Sequence, residues 1–115
     1  MRKWQRTVAW ILQLLLAVLF VVQGASKLAG SPNWVARFRA WGYPNHFYVV
    51  IGMVELLGGV ALLIPRFVTA GALLLGCVMI GAAITHAVHG EPQVVTALVL
   101  LALLATTVLL RGWHR

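Results

Sequence analysis

The sequence FYVVIGMVELLGGVALLI, residues 47–64, decides the fold class of this 115-residue chain. It is 18 residues long, and Glu55 is its only charged side chain. A helix needs about 20 apolar residues, within a range of about 17–25, to cross the hydrocarbon layer of a bilayer. A soluble amphipathic helix would carry a polar stripe along one side, and this stretch has none. It therefore predicts a membrane-spanning helix.

Three further apolar runs are present, one before residues 47–64 and two after them. They cover residues 7–25, 67–87 and 94–110, and none of them contains Asp, Glu, Lys or Arg. Short links join the last three runs, and short links make consecutive helices antiparallel neighbours. The sequence thus predicts an all-α fold, in which residues 1–115 form a single transmembrane domain with four helices in an antiparallel bundle.

The basic side chains give a net charge of +7, but they lie at the ends of the apolar runs and form no patch. This distribution argues against nucleic acid as a partner and follows the positive-inside rule. If the N-terminus is cytoplasmic, six basic residues lie on that side and three on the other. The first group is Arg2, Lys3, Arg6, Arg66, Arg111 and Arg115, and the second is Lys27, Arg37 and Arg39. The chain is therefore expected to lie in the lipid bilayer with both termini in the cytoplasm.

A short amphipathic segment, residues 34–41, lies between the apolar runs 7–25 and 47–64. Trp34, Phe38 and Trp41 fall at positions i, i+4 and i+7, which is one face of a helix. The preceding residues 30–33, GSPN, are typical of a turn, and Asn33 is the expected N-cap. We predict a short helix lying flat at the outer membrane interface.

Glu55 is the most informative residue of the sequence. A carboxylate inside a spanning helix costs about 2.5–3.5 kcal/mol on insertion scales, and it usually faces a partner or a wet cavity. Gly52, Gly58 and Gly59 share its face. One hypothesis is a functional carboxylate in a pocket that the missing side chains open. The alternatives are a structural polar clamp for Glu55 and close helix packing at the glycines.

Two other polar groups are expected to reach Glu55. Lys27 lies at the outer end of the first helix and His86 at the outer end of the third. Side chains lean towards the N-terminus of their helix, so Lys27 and His86 lean into the membrane while Glu55 leans outwards towards them. Gln23 lies one turn before Lys27 on the same face. The predicted ligand-binding residues are therefore Lys27, Glu55, His86 and Gln23.

Such a cluster could hydrogen-bond a polar head among apolar walls, and a quinone would suit it. Glu55 is then the candidate catalytic residue, as a proton acceptor or relay. No metal site is expected, because zinc takes three or four ligands and only Glu55 and His86 qualify as neighbours. The single cysteine, Cys77, excludes an internal disulfide and is expected to be a small buried packing residue.

The ordered set of motifs resembles the DoxX family of small four-helix membrane proteins. The matching elements are Phe20-x-x-x-Gly24-x-x-Lys27-Leu28, Trp41-Gly42-Tyr43-Pro44, Gly52-x-x-Glu55-x-x-Gly58-Gly59-x-x-Leu62, Pro65-Arg66 and Thr85-His86. The resemblance implies a multi-pass protein of a bacterial-type inner (plasma) membrane. It also implies association with quinone-coupled oxidoreductase subunits, without assigning a catalytic role to any residue.

The leading hypothesis from the sequence is a redox-associated membrane subunit that binds a quinone-like lipophilic molecule near Glu55. The alternative is a non-enzymatic scaffold for partner proteins, in which Lys27, Glu55 and His86 form a structural cluster. A small-solute carrier ranks last, because four helices leave little room for a gated path. Whether the chain has an activity of its own is left open at this point.

Overall fold

The computed structural model describes residues 2–111, and this part of the chain is helical, with no β-strand. The helices are α1 (Lys3–Leu28), α2 (Pro32–Ala40), α3 (Phe47–Ala61), α4 (Val68–Val88) and α5 (Val94–Arg111), with a short 3-10 turn at Pro65–Phe67 before α4. The all-α prediction is confirmed. In length and composition, α1, α5 and the segment Pro65–Val88 suit a membrane crossing, whereas α3 is an apolar helix of 15 residues.

The four longer helices pack in the ring order α1, α3, α4, α5, and α2 packs against α1 and α3. Each helix of the ring runs antiparallel to both of its neighbours. The end of the bundle that carries α2, called the α2 end below, holds the last turns of α1 and α4 and the first turns of α3 and α5. The last turns of α3 and α5 lie at the opposite end.

Proline explains two of the helix boundaries that differ from the prediction. Helix α2 begins at Pro32 with Ser31 as its N-cap, so the prediction of Asn33 as N-cap was wrong. Proline suits the first helical position because its fixed φ is helical and its missing N–H would have no partner there. Helix α3 ends at Ala61, three residues before the predicted end, because Ile64 precedes Pro65 and is extended (φ −107°, ψ 109°).

The outward faces of the helices are as apolar as the interior. Large aliphatic side chains remain more than half exposed on every long helix, for example Leu15 (64%), Leu57 (60%), Val88 (74%) and Leu109 (76%). Contiguous exposed apolar surface of this kind is typical of contact with lipid or another protein. Together with the long apolar helices, it identifies a membrane protein.

Glycines bring α1 and α3 into backbone contact. A Cβ added to Gly24 would lie 2.6 Å from the carbonyl oxygen of Gly52, and a Cβ on Gly59 would lie 3.1 Å from the backbone nitrogen of Val21. Close packing at glycines was predicted between α3 and α4, where Gly58 and Gly71 confirm it, and the contact of α1 with α3 is an additional one. The glycines on the Glu55 face do not open a pocket, because neighbouring helices fill the space.

The α1–α3 pair meets the α4–α5 pair mainly away from the α2 end. A Cβ on Gly58 would lie 2.6 Å from Leu75 Cγ, and one on Gly71 would lie 2.9 Å from the Cβ of Ala61. Helices α1 and α5 are joined by a hydrogen bond of 2.6 Å from Arg111 Nε to Gln13 Oε1. Between the two pairs, at the α2 end, lies a cavity.

Candidate functional site

The cavity has a volume of about 580 Å³ and is bounded by all four long helices, with α2 above it. Ligand sites in proteins typically measure about 300–1,000 Å³ and are mostly apolar with a few polar groups. This cavity has that character. Its apolar wall includes Leu19, Ile51, Val54, Leu74, Val78 and Leu100, and its polar groups include Gln23, Lys27, Glu55, Thr85 and His86.

Lys27 and Glu55 form an ion pair on the wall of the cavity. Lys27 Nζ lies 2.6 Å from Glu55 Oε1, and the two residues are 4% and 3% exposed. The missing side chain of Gly52 makes the approach possible, because a Cβ there would lie 2.8 Å from Lys27 Cβ. The ammonium also lies 3.8 Å from the centroid of the Trp34 ring, a cation–π contact.

The pair leaves hydrogen-bonding capacity at the cavity. Within residues 2–111, Glu55 Oε2 and the Gln23 amide make no hydrogen bond. A lysine ammonium has three N–H donors and a carboxylate oxygen can accept more than one bond. A polar ligand atom could therefore be held by Lys27, Gln23 and Glu55 without breaking the ion pair.

His86 lines the same cavity but is paired with a different acid. Its Nδ1 lies 2.8 Å from Glu91 Oε1, and the indole Nε1 of Trp41 donates to the same oxygen over 3.2 Å. The hydrogen bond from His86 holds the pKa of the Glu91 carboxyl below its usual value; burial opposes this shift and the bond from Trp41 adds to it. The structure thus brings the four predicted residues to one cavity, with Lys27 and Glu55 in contact and His86 in a separate pair.

Aromatic residues close the α2 end of the cavity. Phe38 is buried, and its ring centroid lies 5.3 Å from that of Trp41 and 5.6 Å from that of Tyr43. The hydroxyls of Tyr43 and Thr85 are hydrogen-bonded, which joins the α2–α3 link to the last turn of α4. Trp34 and Trp41 line the cavity, so this aromatic face of α2 is turned towards the bundle.

Cys77 is exposed and lines the cavity, so the prediction of a buried packing residue was wrong. It lies on the same face of α4 as Leu74 and Gly81, where the two helix pairs diverge and no neighbour covers the helix. Within residues 2–111, no three His, Cys, Asp or Glu side chains are grouped so that they could hold a metal ion.

Sequence reasoning missed Glu91 as a site residue. It is the only acid besides Glu55, and it follows Gly90, whose positive φ of 65° ends α4. The N–H of Glu91 donates to the carbonyl of His86 over 2.8 Å, and that of Gly90 donates to the carbonyl of Ala87. This is a Schellman motif, in which the residue after the glycine folds back over the last turn of the helix. The spacing His86-x-x-x-Gly90-Glu91 was the available signal.

Comparison with known proteins agrees with this architecture. The model of the DoxX-like family matches residues 11–108. A protein from Bacillus subtilis (strain 168) with the name "Putative oxidoreductase CatD" is 31% identical over 75 residues, which cover 65% of this chain and 56% of that relative. The match thus spans little more than half of the relative's length. No solved structure matches the chain. Because the family match covers nearly all of the cavity-forming helices, the chain belongs to the DoxX-like family.

Proposed function

We propose that this chain crosses the membrane four times and binds a quinone-like lipophilic molecule in the cavity, as a subunit of a membrane redox system. Support for the fourth crossing comes from the apolar residues 62–64, which extend α3 to the 18-residue run of the sequence. The distribution of basic residues supports an orientation with both termini in the cytoplasm, and the family match supports a location in the inner membrane. The α2 end would then face outwards, with α2 at the interface.

The observation that carries the proposal is a mostly apolar cavity with polar groups along one part of its wall. A quinone has carbonyl acceptors on an apolar ring. The ammonium of Lys27 and the amide of Gln23 can donate to a carbonyl, while aliphatic side chains such as Ile51 and Val78 contact the ring. Glu55 Oε2 can accept the hydroxyl of the reduced form and take up or relay its proton.

The redox part of the proposal is supported by the relative, whose name describes a putative oxidoreductase. We propose that the reduced ligand gives its electrons to an associated membrane oxidoreductase and that this chain supplies the binding site and the acceptor for the ligand's proton. The residues of the cavity then act by binding and orienting the ligand and by accepting its proton.

Binding can be tested with decyl-ubiquinone on the full-length protein in lipid nanodiscs. Quenching of the cavity tryptophans Trp34 and Trp41 reports occupancy, and protection of Cys77 from a membrane-permeant maleimide reports it independently. We expect saturable binding by wild type. For the reduced form, decyl-ubiquinol, whose hydroxyl Glu55 can accept, we expect binding to be weakened at least about tenfold in Glu55→Gln, the size of one hydrogen bond to a charged group. Equal or negligible binding by both proteins would contradict the proposal.

Gly81 offers a second variant that tests the location of the ligand. A Cβ at this position would have no atom within 4 Å, so Gly81→Phe should fill part of the cavity without disturbing its neighbours. Ala70→Phe is the matched control, since Ala70 is exposed on the same helix outside the cavity. We expect Gly81→Phe to abolish quenching and Cys77 protection while Ala70→Phe leaves both unchanged.

The second candidate function is a non-enzymatic scaffold that organises partner proteins. The observation that favours it is the ion pair itself, which is complete without a ligand. In that case the pair would serve only to hold α1 against α3. An apolar replacement of both residues would then preserve partner binding, whereas the ligand site proposed above would be lost.

A further inference from the structure

The His86–Glu91–Trp41 cluster has a geometry that the ligand site does not explain. Nδ1 of His86 faces Glu91 Oε1 at 2.8 Å, and the indole Nε1 of Trp41 donates to the same carboxylate. The indole of Trp41 also lies edge-on to the imidazole, with 5.4 Å between centroids. Both the position and the rotation of the imidazole ring are therefore restrained.

This contact determines which ring nitrogen is available to the cavity. A carboxylate only accepts hydrogen bonds, so Nδ1 carries the hydrogen. In the neutral ring Nε2 is then the acceptor, and in the imidazolium it is a donor. Carboxylates that hydrogen-bond one nitrogen of an imidazole in this way fix its tautomer and the orientation of the ring. Because His86 lines the cavity, Nε2 is the nitrogen that a ligand can reach.

Access to water separates this cluster from the ion pair. The side chains of Lys27 and Glu55 are 5% and 4% exposed, whereas those of His86 and Glu91 are 13% and 35% exposed. A proton that the ligand releases to the Lys27–Glu55 pair therefore cannot pass directly to water. At His86 it reaches a residue whose carboxylate partner lies on a solvated turn.

We propose that His86, positioned by Glu91, is the proton-exchange site between the cavity and the aqueous phase at the α4–α5 turn. The inference rests on the proposed function in that it takes the ligand to carry an ionisable hydroxyl. In the step, the ligand O–H bond breaks and its proton adds to Nε2. The products are a ligand anion and an imidazolium, which then loses its proton to water. No electron moves in this step.

Other charged groups face His86 from the surrounding elements. His89 is the C-cap of α4, and its Nδ1 bonds the carbonyl of Thr85. Arg37 of α2 and the Lys27–Glu55 pair line the same cavity. Gln93, just before α5, and Thr96, in its first turn, contribute neutral groups only. Among these groups, His89 provides a control, because it does not line the cavity.

The test uses a 3-alkyl-2-hydroxy-1,4-naphthoquinone as the probe, whose anion is visible by absorbance. The affinity of the full-length protein in nanodiscs for this probe is measured from about pH 5 to about pH 8, the range in which histidine changes charge. Each dissociation constant is calculated from the concentration of the anionic form of the probe. For wild type we expect the affinity to fall about tenfold as pH rises, because one charged hydrogen bond is lost. His86→Phe should abolish this dependence, and His89→Phe should retain it.

Two further measurements separate positioning from folding and from ligand binding. Glu91→Gln should reduce the size of the pH-dependent change in affinity, because the imidazole ring loses the carboxylate that orients it. Decyl-ubiquinone, which has no ionisable hydroxyl, should bind wild type with an affinity that does not change over this pH range, and a thermal unfolding transition of His86→Phe like that of wild type shows that the variant is folded.

The outcomes distinguish the two proposals. Failure of wild type to bind either compound overturns the proposed function and this inference with it. Binding of the naphthoquinone anion with the same pH profile in wild type and His86→Phe overturns the role of His86 alone. If the pH dependence of affinity disappears in His89→Phe, the exchange site is His89 and not His86, and the inference is overturned.

Discussion

Lys27 Nζ lies 2.6 Å from Glu55 Oε1, and this ion pair joins the last turn of α1 to the middle of α3 in a part of the bundle almost closed to solvent. Gly24 and Gly52 allow the two helices to approach at the same level, because each lacks the side chain that would separate them. The pair and the glycine contact are therefore one structural unit. An ion pair removed from water needs good geometry to offset its desolvation, and the close helix approach provides it.

Removing one partner of this pair should be far more damaging than removing both. We expect Lys27→Met to cost about 3–5 kcal/mol of unfolding free energy, because it leaves a buried carboxylate without its cation. The double variant Lys27→Met/Glu55→Leu should recover most of this loss, since apolar side chains often replace buried pairs well. The measurement is reversible unfolding in mixed micelles.

The same double variant separates the ligand site from the scaffold. If the pair only holds α1 against α3, the stable double variant keeps its function. If the pair binds a ligand head, the double variant is folded but no longer binds decyl-ubiquinone. A double variant as unstable as the sum of its single substitutions would contradict the stability argument.

The α1–α3 contact predicts that glycines on different helices differ in their tolerance of a methyl group. In Gly24→Ala the new Cβ would meet backbone atoms, Gly52 O at 2.6 Å and Leu56 N at 2.7 Å. The helices must then separate, and we expect a loss of about 1–3 kcal/mol. Gly81→Ala faces open space and should be neutral or stabilising by up to about 1 kcal/mol. Thermal unfolding of the two variants side by side is the measurement, and equal stabilities would refute the contact.

The pairing of Lys27 with Glu55 could be predicted because its cause is local. An acid in an apolar run must be met by a polar group, and the lean of side chains along antiparallel helices indicates which neighbour can reach it. The apolar runs predicted the helices because the thickness of the bilayer sets the length of a helix that crosses it. These arguments need only the direction of each helix and the depth of each residue.

The cavity could not be predicted in this way. Residues that face lipid, the packed interior or an apolar cavity are all apolar, so the sequence does not distinguish them. Cys77 was therefore expected to pack in the interior, whereas it lines the cavity. The divergence of the two helix pairs depends on where the contacts of Gly58 and Gly71 lie relative to those of Gly24. The partner of His86 was missed because it depends on the reversal of the chain at Gly90.

A buried glutamine should stabilise the opposite end of the bundle. Gln13 is 0% exposed, donates to the carbonyl of Leu62 over 2.8 Å and accepts from Arg111 Nε over 2.6 Å. We expect Gln13→Leu to lower the unfolding free energy by about 1–3 kcal/mol, because a buried carbonyl loses its donor. Gln23→Leu is the control, since Gln23 makes no hydrogen bond within residues 2–111 and its loss should weaken ligand binding instead. Equal destabilisation by both variants would contradict these assignments.

The contact between His86 and Glu91 predicts how stability depends on pH. The hydrogen bond from His86 lowers the pKa of Glu91 from its ordinary value of 4.5. A carboxyl with a lowered pKa in the folded state contributes stability that is fully present above its ordinary pKa and is lost as pH falls through the folded value. The Tm of wild type should therefore decrease on acidification below about pH 5, and the decrease should be smaller in Glu91→Gln, which has no carboxyl to protonate. The fluorescence of Trp41 should change over the same interval, since its indole donates to the Glu91 carboxylate. Wild type and variant with parallel Tm profiles would show that Glu91 is not held by His86.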